Sequence, residues 1–97
     1  MPKNLLIIVP VLNEVDNIYP LLEKISKYLK NKKKHVLFVD DNSSDGTRKK
    51  IYQAQKKYKN IHLIKRKEKL GIGSAHKRAL SWGFKNEYDM IITMDCD

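Results

Sequence analysis

Carboxylates stand in three short clusters along this chain, and each cluster directly follows an apolar run. Asn13-Glu14 comes after LLIIVPV, Asp40-Asp41 closes HVLFVD, and Asp95-Cys96-Asp97 closes MIITMDCD. Carboxylates so placed can hold a hard divalent cation or accept hydrogen bonds from a base N–H or a ribose hydroxyl. In an extended segment residues i and i+2 point the same way, so Asp95 and Asp97 can address one ligand while Cys96 faces the other side. Magnesium and manganese favour carboxylate oxygen, and magnesium usually bridges protein to substrate phosphates through one or two side chains. A bare D-x-D pair is also what a solvated strand end looks like. Its position after a buried strand, facing two further acidic clusters, favours the metal. Asp41, at the end of its own buried strand, suits a base or ribose contact of the kind made in nucleotide-binding folds. Ser44 or Asp45 reads as the cap of the following helix, and Asn13 can cap the helix after the first strand.

A second candidate segment is KLGIGSAHKRAL, which sets Gly71 and Gly73 just before a helix. Glycine permits close backbone approach, and a helix N-terminus attracts anions. It is not a dinucleotide fingerprint. The sixth position of the G-x-G-x-x-G pattern is His76, and KRKEKL separates the glycines from the preceding strand.

The elements that must position these groups are legible from hydrophobic period. Leu5 to Val11 is a continuous branched run, as in a strand buried on both faces. Ile18, Leu21, Leu22, Ile25 and Leu29 recur at helical spacing. His35 to Asp40 predicts a second strand, Ser44 to Tyr58 a polar helix with a thin apolar stripe of Ile51, Ala54 and Tyr58, and Ile61 to Ile64 a third strand. Ala75, Ala79, Trp82 and Gly83 predict a third helix, and Met90 to Asp95 a fourth strand. Strands alternating with helices predict one α/β domain with a parallel sheet, whose ligands bind beyond the carboxyl ends of the strands. All three acidic clusters fall on that rim.

Composition narrows the class. The chain has 97 residues, 41% hydrophobic and 32% charged, which suits one small globular domain. No apolar run approaches the roughly 20 residues that span a bilayer. The N-terminal apolar stretch reads as a buried strand and not a signal peptide, so an aqueous, cytoplasmic setting is expected. One cysteine, Cys96, makes no internal disulfide, and His35, His62 and His76 lack zinc-ligand spacing. The net charge of +9 comes from lysine-rich helices and loops such as KNKKK and KRKEK. No aromatic platforms are interleaved with them, so nucleic acid is not an expected partner. The charge reads as a solvated surface, with acidic lipid head groups or a phosphorylated ligand as the other attraction.

In their order along the chain, IIVPVLNEVDNI, VLFVDDNSSDGT, KLGIGSAHKRAL and IITMDCD resemble the nucleotide-binding half of family 2 glycosyltransferases of the GT-A fold. Within that family the chain is most similar to the dolichyl- or polyprenyl-phosphate mannosyl- and glucosyltransferases, and the resemblance covers nearly all of it. It implies a three-layer α/β/α fold with a mainly parallel, Rossmann-like sheet. Residues 1–97 would be the N-terminal part of a GT-A domain, cut at the D-x-D motif. Pro10, Val11, Asn13 and Glu14 would line the nucleotide pocket, with Asp41 on the base, Asp40 supporting it and Val39 contributing backbone. Asp95 and Asp97 would hold a divalent metal, Mg or Mn, on the sugar-nucleotide diphosphate, and Asp95 would also lie close to the nucleotide. Gly71 and Gly73 would border the same pocket. Leu12 stands where the family often has an aromatic residue, and Cys96 where a small residue is common.

The implied reaction is inverting transfer of a sugar from a GDP- or UDP-sugar to an acceptor, with a lipid phosphate expected, at the cytoplasmic face of a membrane. Acceptor contacts and any catalytic base are expected after Asp97, so the chain by itself is expected to bind nucleotide without turnover. Its last strand, lacking a cover, is expected to promote self-association. The alternative reading is a receiver-type signalling domain, whose acidic pair and phosphoacceptor strand VLFVDDNSSDGTRKKI and YDMIITMDCD resemble; it leaves the first strand and helix unexplained.

Overall fold

The computed structural model describes residues 5–30, 33–67 and 71–96. Four strands, β1 (Leu5–Val11), β2 (Lys34–Asp40), β3 (Ile61–Lys65) and β4 (Met90–Thr93), form one sheet in the order β3-β2-β1-β4. Every pairing is parallel. The crossovers carry α1 (Ile18–Tyr28), α2 (Thr47–Lys57) and α3 (Ile72–Lys85), with a short 3-10 turn at Val15–Asn17 ahead of α1.

The continuous apolar runs of β1 and β2 are explained by burial on both faces. Leu5, Ile7, Val9 and Val11 join Val36, Phe38 and Ile61 in a core under α1 and α2, against Ile18, Leu22, Ile25, Ile51 and Ala54. Leu6, Ile8, Leu37 and Val39 face the other way, onto Ala75 and Ala79 of α3. This is the expected three-layer arrangement. The α3 layer packs closely because its inward residues are small. A Cβ at Gly83 would stand 2.8 Å from Ile91 Cδ1 and 3.0 Å from Leu6 Cδ2, so a side chain there would push α3 off the sheet.

Two predicted boundaries move. The fourth strand ends at Thr93, not Asp95, so the acidic tail lies beyond the regular strand. The second helix starts at Thr47, not Ser44, because Ser44 to Gly46 is taken up by a bend that closes on Gly46 at φ 94°. The helix N-cap is that glycine, with no side-chain cap, so neither Ser44 nor Asp45 caps it. Asp45 instead accepts from the main-chain N–H and hydroxyl of Thr47, the first helical residue.

At the amino ends of the strands, on the α3 side, the histidines form a cluster that sequence spacing does not suggest. His35 Nδ1 and His62 Nε2 are 2.9 Å apart, and Tyr88 Oη lies 3.0 Å from the same His35 nitrogen. The two rings are parallel within 1°, with centroids 5.2 Å apart. The gap between centroid and nitrogen separations is what two ring radii occupy, so the imidazoles lie edge to edge in one plane. Burial pushes both histidines below their ordinary pKa of 6.5, and His35 is lowered further by His62 and Lys33. A base whose folded pKa is depressed takes up protons preferentially in the unfolded chain. The pair's contribution is therefore complete above pH 6.5 and is lost as pH falls through the folded values. Denaturant midpoints measured from pH 8 down to pH 5 should fall most below about pH 6.5, and replacing both histidines by phenylalanine should remove that part of the slope.

Candidate nucleotide and metal site

The strand order reverses between β1 and β4, and the carboxyl ends of these two strands are where ligands bind in such sheets. Pro10 helps open the sheet there. Leu5 donates to Lys33 and Val11 accepts from Asp41, so the odd residues of β1 turn their peptide groups toward β2. By alternation the even ones turn toward β4, as Ile8 does in accepting from Met94 at 2.9 Å. Pro10 is the next on that side, and it has no N–H to offer the Met94 carbonyl. The β1–β4 ladder therefore stops, and Asp95 emerges exposed beside the end of β1. Cys96 turns inward instead and is buried in the core under α1 and α2, as the alternation of an extended segment predicts. Asp97 lies outside the described residues, so the pairing of Asp95 with Asp97 is not part of the geometry.

On the other side of β1 the loops after β1 and β2 are tied together side chain to main chain. Asn13 donates its N–H to Ser43 Oγ and accepts from the N–H of Ser44 on Oδ1, both at 2.8 Å. Glu14 N–H donates to Thr47 Oγ1 and Val15 N–H to Asp45 Oδ2. Asn13 and Asn42 hold left-handed φ values of 55° and 70°, which asparagine tolerates better than most residues. Asn13 is thus no helix cap: the turn before α1 begins at Glu14 without a side-chain cap. Its role is to hold two loops of the rim together, with Glu14 Oε1 accepting from Asn17 Nδ2 close by.

The two adjacent aspartates are both buried and do different things. Asp40 is fully buried and accepts from the N–H and hydroxyl of Ser43 and from Arg48 Nε. These bonds make it the anchor of the loop after β2. Asp41 is 7% exposed; its N–H donates to Val11 O at 3.0 Å, its Oδ2 accepts from Gly71 N–H at 3.1 Å, and Arg66 Nε lies 3.3 Å from its Oδ1. Gly71, with φ 90° and ψ 163°, adopts a backbone open in practice only to glycine, and this lets the chain deliver that N–H to Asp41. Gly73 lies in the first turn of α3, exposed, with nothing within 4 Å of its Cβ position.

The geometry therefore gathers Pro10, Val11, Asn13, Glu14, Val39 and Asp41 at one corner. Pro10 is in register with Val39, and Val11 with Asp40. Asp95 stands across β1 from that corner. Among the described residues no three His, Cys, Asp or Glu side chains converge on one metal position. Asp95 nevertheless offers a hard, exposed oxygen donor at the mouth of the site, which fits a cation completed by substrate phosphates more than a protein cage.

Sequence reasoning missed Arg66. It sits in the run KRKEK, which reads as solvated charge, yet it is 8% exposed. Its N–H donates to Asp40 O, its carbonyl accepts from Arg48 Nη2, and its own Nη2 donates to Ser74 Oγ. Its Nη1 is buried without a hydrogen-bond partner among the described residues. A donor left so costs about 1–3 kcal/mol. Position directly after a strand that ends beside two carboxylates was the available signal.

The sequence of residues 6–97 matches the family model described as glycosyl transferase family 2. The chain belongs to that family. Among curated proteins it is 30% identical over 93 residues to the polyprenol monophosphomannose synthase of Mycolicibacterium smegmatis, covering 95% of this chain and 34% of that one. It is 33% identical over 92 residues to the dolichol-phosphate mannosyltransferase of Pyrococcus furiosus, covering 94% and 25%. The chain thus spans only a quarter to a third of these relatives.

Among solved structures, the mannosyltransferase PcManGT of Pyrobaculum calidifontis, in complex with GDP-Man and Mn2+, aligns over 100% of this chain and 28% of its own, with TM-score 0.84 and 25% identity. Glucosyl-3-phosphoglycerate synthase of Mycobacterium tuberculosis, in complex with Mn2+, UDP and glucosyl-3-phosphoglycerate, shares the fold at TM-score 0.73 and 20% identity, over 98% of this chain and 34% of that one. The parallel sheet and flanking helices of this family 2 chain are thus the GT-A nucleotide-binding arrangement. Nothing in these matches points to the receiver-type alternative.

Proposed function

We propose that this chain is the donor-binding part of a transferase that moves mannose from GDP-mannose to a polyprenyl phosphate with inversion at the anomeric carbon. The observation that carries this reading is the corner itself: a buried Asp41 held by Gly71 and Arg66, one strand away from an exposed Asp95 at the point where strand order reverses. The curated relatives described above are named a polyprenol monophosphomannose synthase and a dolichol-phosphate mannosyltransferase, and the structural neighbour of higher TM-score holds GDP-Man with Mn2+, which supports mannose, the guanine nucleotide and a divalent cation.

Asp41 accepts from the base, Pro10, Val11, Asn13, Glu14 and Val39 wall the nucleotide, and Asp95 with Asp97 would hold the divalent cation. When bound, that cation supplies neutralisation of the charge that grows on the leaving diphosphate. The acceptor's phosphate oxygen is already anionic; it bonds to the anomeric carbon as the bond to the diphosphate oxygen breaks, and GDP departs without a proton having to be removed. Among the described residues we assign no catalytic base. Spanning a quarter to a third of the curated relatives, the 97-residue chain is read as binding nucleoside diphosphate without transferring sugar. A cytoplasmic setting accords with its one buried cysteine thiol.

Calorimetric titration of the chain with GDP and UDP, each with and without Mn2+, tests the reading. Metal-dependent heat with GDP is expected; absence of heat with both nucleotides would refute donor binding, and measurable sugar transfer would refute the inactivity of the chain.

The same reading bears on the outer side of β4, which has no strand partner among the described residues, and whose first residue, Met90, is 58% exposed. Such an edge templates pairing with another chain. Sedimentation velocity across a concentration series should show reversible self-association, and a single monomeric boundary at the highest concentration would contradict it.

A further inference from the structure

His35 and His62 are 27 residues apart in sequence, and the register of β2 with β3 brings them together on the α3 side of the sheet. This is the end opposite the nucleotide corner. β2 carries His35 near its start and Asp40 at its end, roughly 17 Å apart at the rise of an extended strand. Three heteroatoms converge there: His62 Nε2 lies 2.9 Å and Tyr88 Oη 3.0 Å from His35 Nδ1. An imidazole nitrogen carries either one N–H or one lone pair, so His35 Nδ1 serves only one of these two neighbours well. A cation resolves the conflict. With each ring's proton on its other nitrogen, His35 Nδ1 and His62 Nε2 both turn a lone pair to the metal, and the pair loses no proton.

We propose that His35 Nδ1 and His62 Nε2 form a binding site for a borderline divalent cation, Zn2+ or Cu2+, separate from the cation of the nucleotide corner and independent of that reading. Zinc–imidazole bonds of about 2.0–2.1 Å at a tetrahedral angle set two nitrogens about 3.3–3.4 Å apart. From 2.9 Å this asks for a shift of about 0.4 Å and a tilt of the rings out of line, which their partial exposure accommodates. Water fills the remaining positions, within reach of the Tyr88 hydroxyl. Burial lowers both histidine pKa values, so the imidazoles are neutral and ready to coordinate at neutral pH. Among the described residues no Cys, Asp or Glu joins them, and Lys33 adds positive charge near His35. The site therefore selects metals that favour imidazole nitrogen over Mn2+ and Mg2+, which favour carboxylate oxygen. Bound there, the cation joins β2 to β3 and stabilises the folded chain.

Trp82, the one tryptophan of the chain, reports on this site, because its ring centroid is 5.2 Å from that of His62. Cu2+ titrated into the untagged chain at neutral pH should quench Trp82 fluorescence and saturate near one equivalent. Zn2+ should reverse the quenching by competition and raise the thermal midpoint, whereas Mn2+, with or without GDP, should not reverse it. In His35→Phe and His62→Phe, shown by circular dichroism to be folded, Cu2+ affinity should fall by about tenfold or more. His76→Gln should keep it. Where a phenylalanine variant does not fold, nitrogen NMR of the imidazoles in the original chain decides. Zn2+ should then shift the signals of His35 and His62 and leave those of His76 in place. Absence of quenching, reversal by Mn2+, affinity unchanged in the folded phenylalanine variants, or Zn2+ shifts confined to His76 would overturn the site.

Discussion

Asp40→Ala is expected to lower the stability of the chain by about 3–5 kcal/mol, the range for removing one member of a buried ion pair. The carboxylate is fully buried, and it satisfies Ser43 twice and Arg48 once. Without it the bend after β2 loses its anchor, and the guanidinium that also reaches Arg66 O loses its counter-charge. Arg48 is 30% exposed and can recover some hydration, which places the expected loss toward the lower end of the range. A domain of this size has of order 5–15 kcal/mol in total, so the loss removes a large part of it. Urea unfolding followed by circular dichroism measures the effect. A change under about 1 kcal/mol would mean that the Asp40–Arg48–Ser43 cluster does not hold the rim.

Asp41→Asn should act on binding and much less on folding. Asparagine keeps an oxygen for the Gly71 N–H but loses the charge opposite Arg66 and the anionic acceptor for the base. A hydrogen bond to a charged group contributes about 1.5–3 kcal/mol, so GDP affinity in Mn2+ should fall by about 10- to 150-fold. The thermal midpoint should move much less than in Asp40→Ala, because Asp41 ties fewer elements together. Calorimetry on the variant, with the melting curve as control, separates the two aspartates. Unchanged GDP affinity would take Asp41 out of the nucleotide pocket.

Much of this architecture is legible in residue period. β1 is legible because a strand buried on both faces leaves an uninterrupted apolar run, here closed by Asn13-Glu14. The acidic clusters could be placed on one rim because parallel strands end together. What the period does not show is which polar side chains turn inward. Asn13 looks like a helix cap yet bridges two loops, since its left-handed backbone points its amide at Ser44. Arg66 looks like one more surface lysine-run residue yet is buried, because the neighbours that justify burying its charge, Asp41 and Ser74, are 25 and 8 residues away in sequence. The His35–His62 contact is hidden for the same reason: it exists only through the register of β2 with β3. Strand β4 is shorter than its apolar run because Pro10, on the neighbouring strand, withholds a ladder bond.

The central claim is that nucleotide and metal meet at the carboxyl ends of β1, β2 and β4. Paramagnetic broadening of backbone amide signals by Mn2+, titrated at trace levels into the chain saturated with GDP, tests it most directly. Strongest broadening of Val11, Leu12, Asn13, Asp41 and Asp95, abolished when GDP is left out, is the expected result. Broadening centred elsewhere, or the same pattern without nucleotide, would contradict the site.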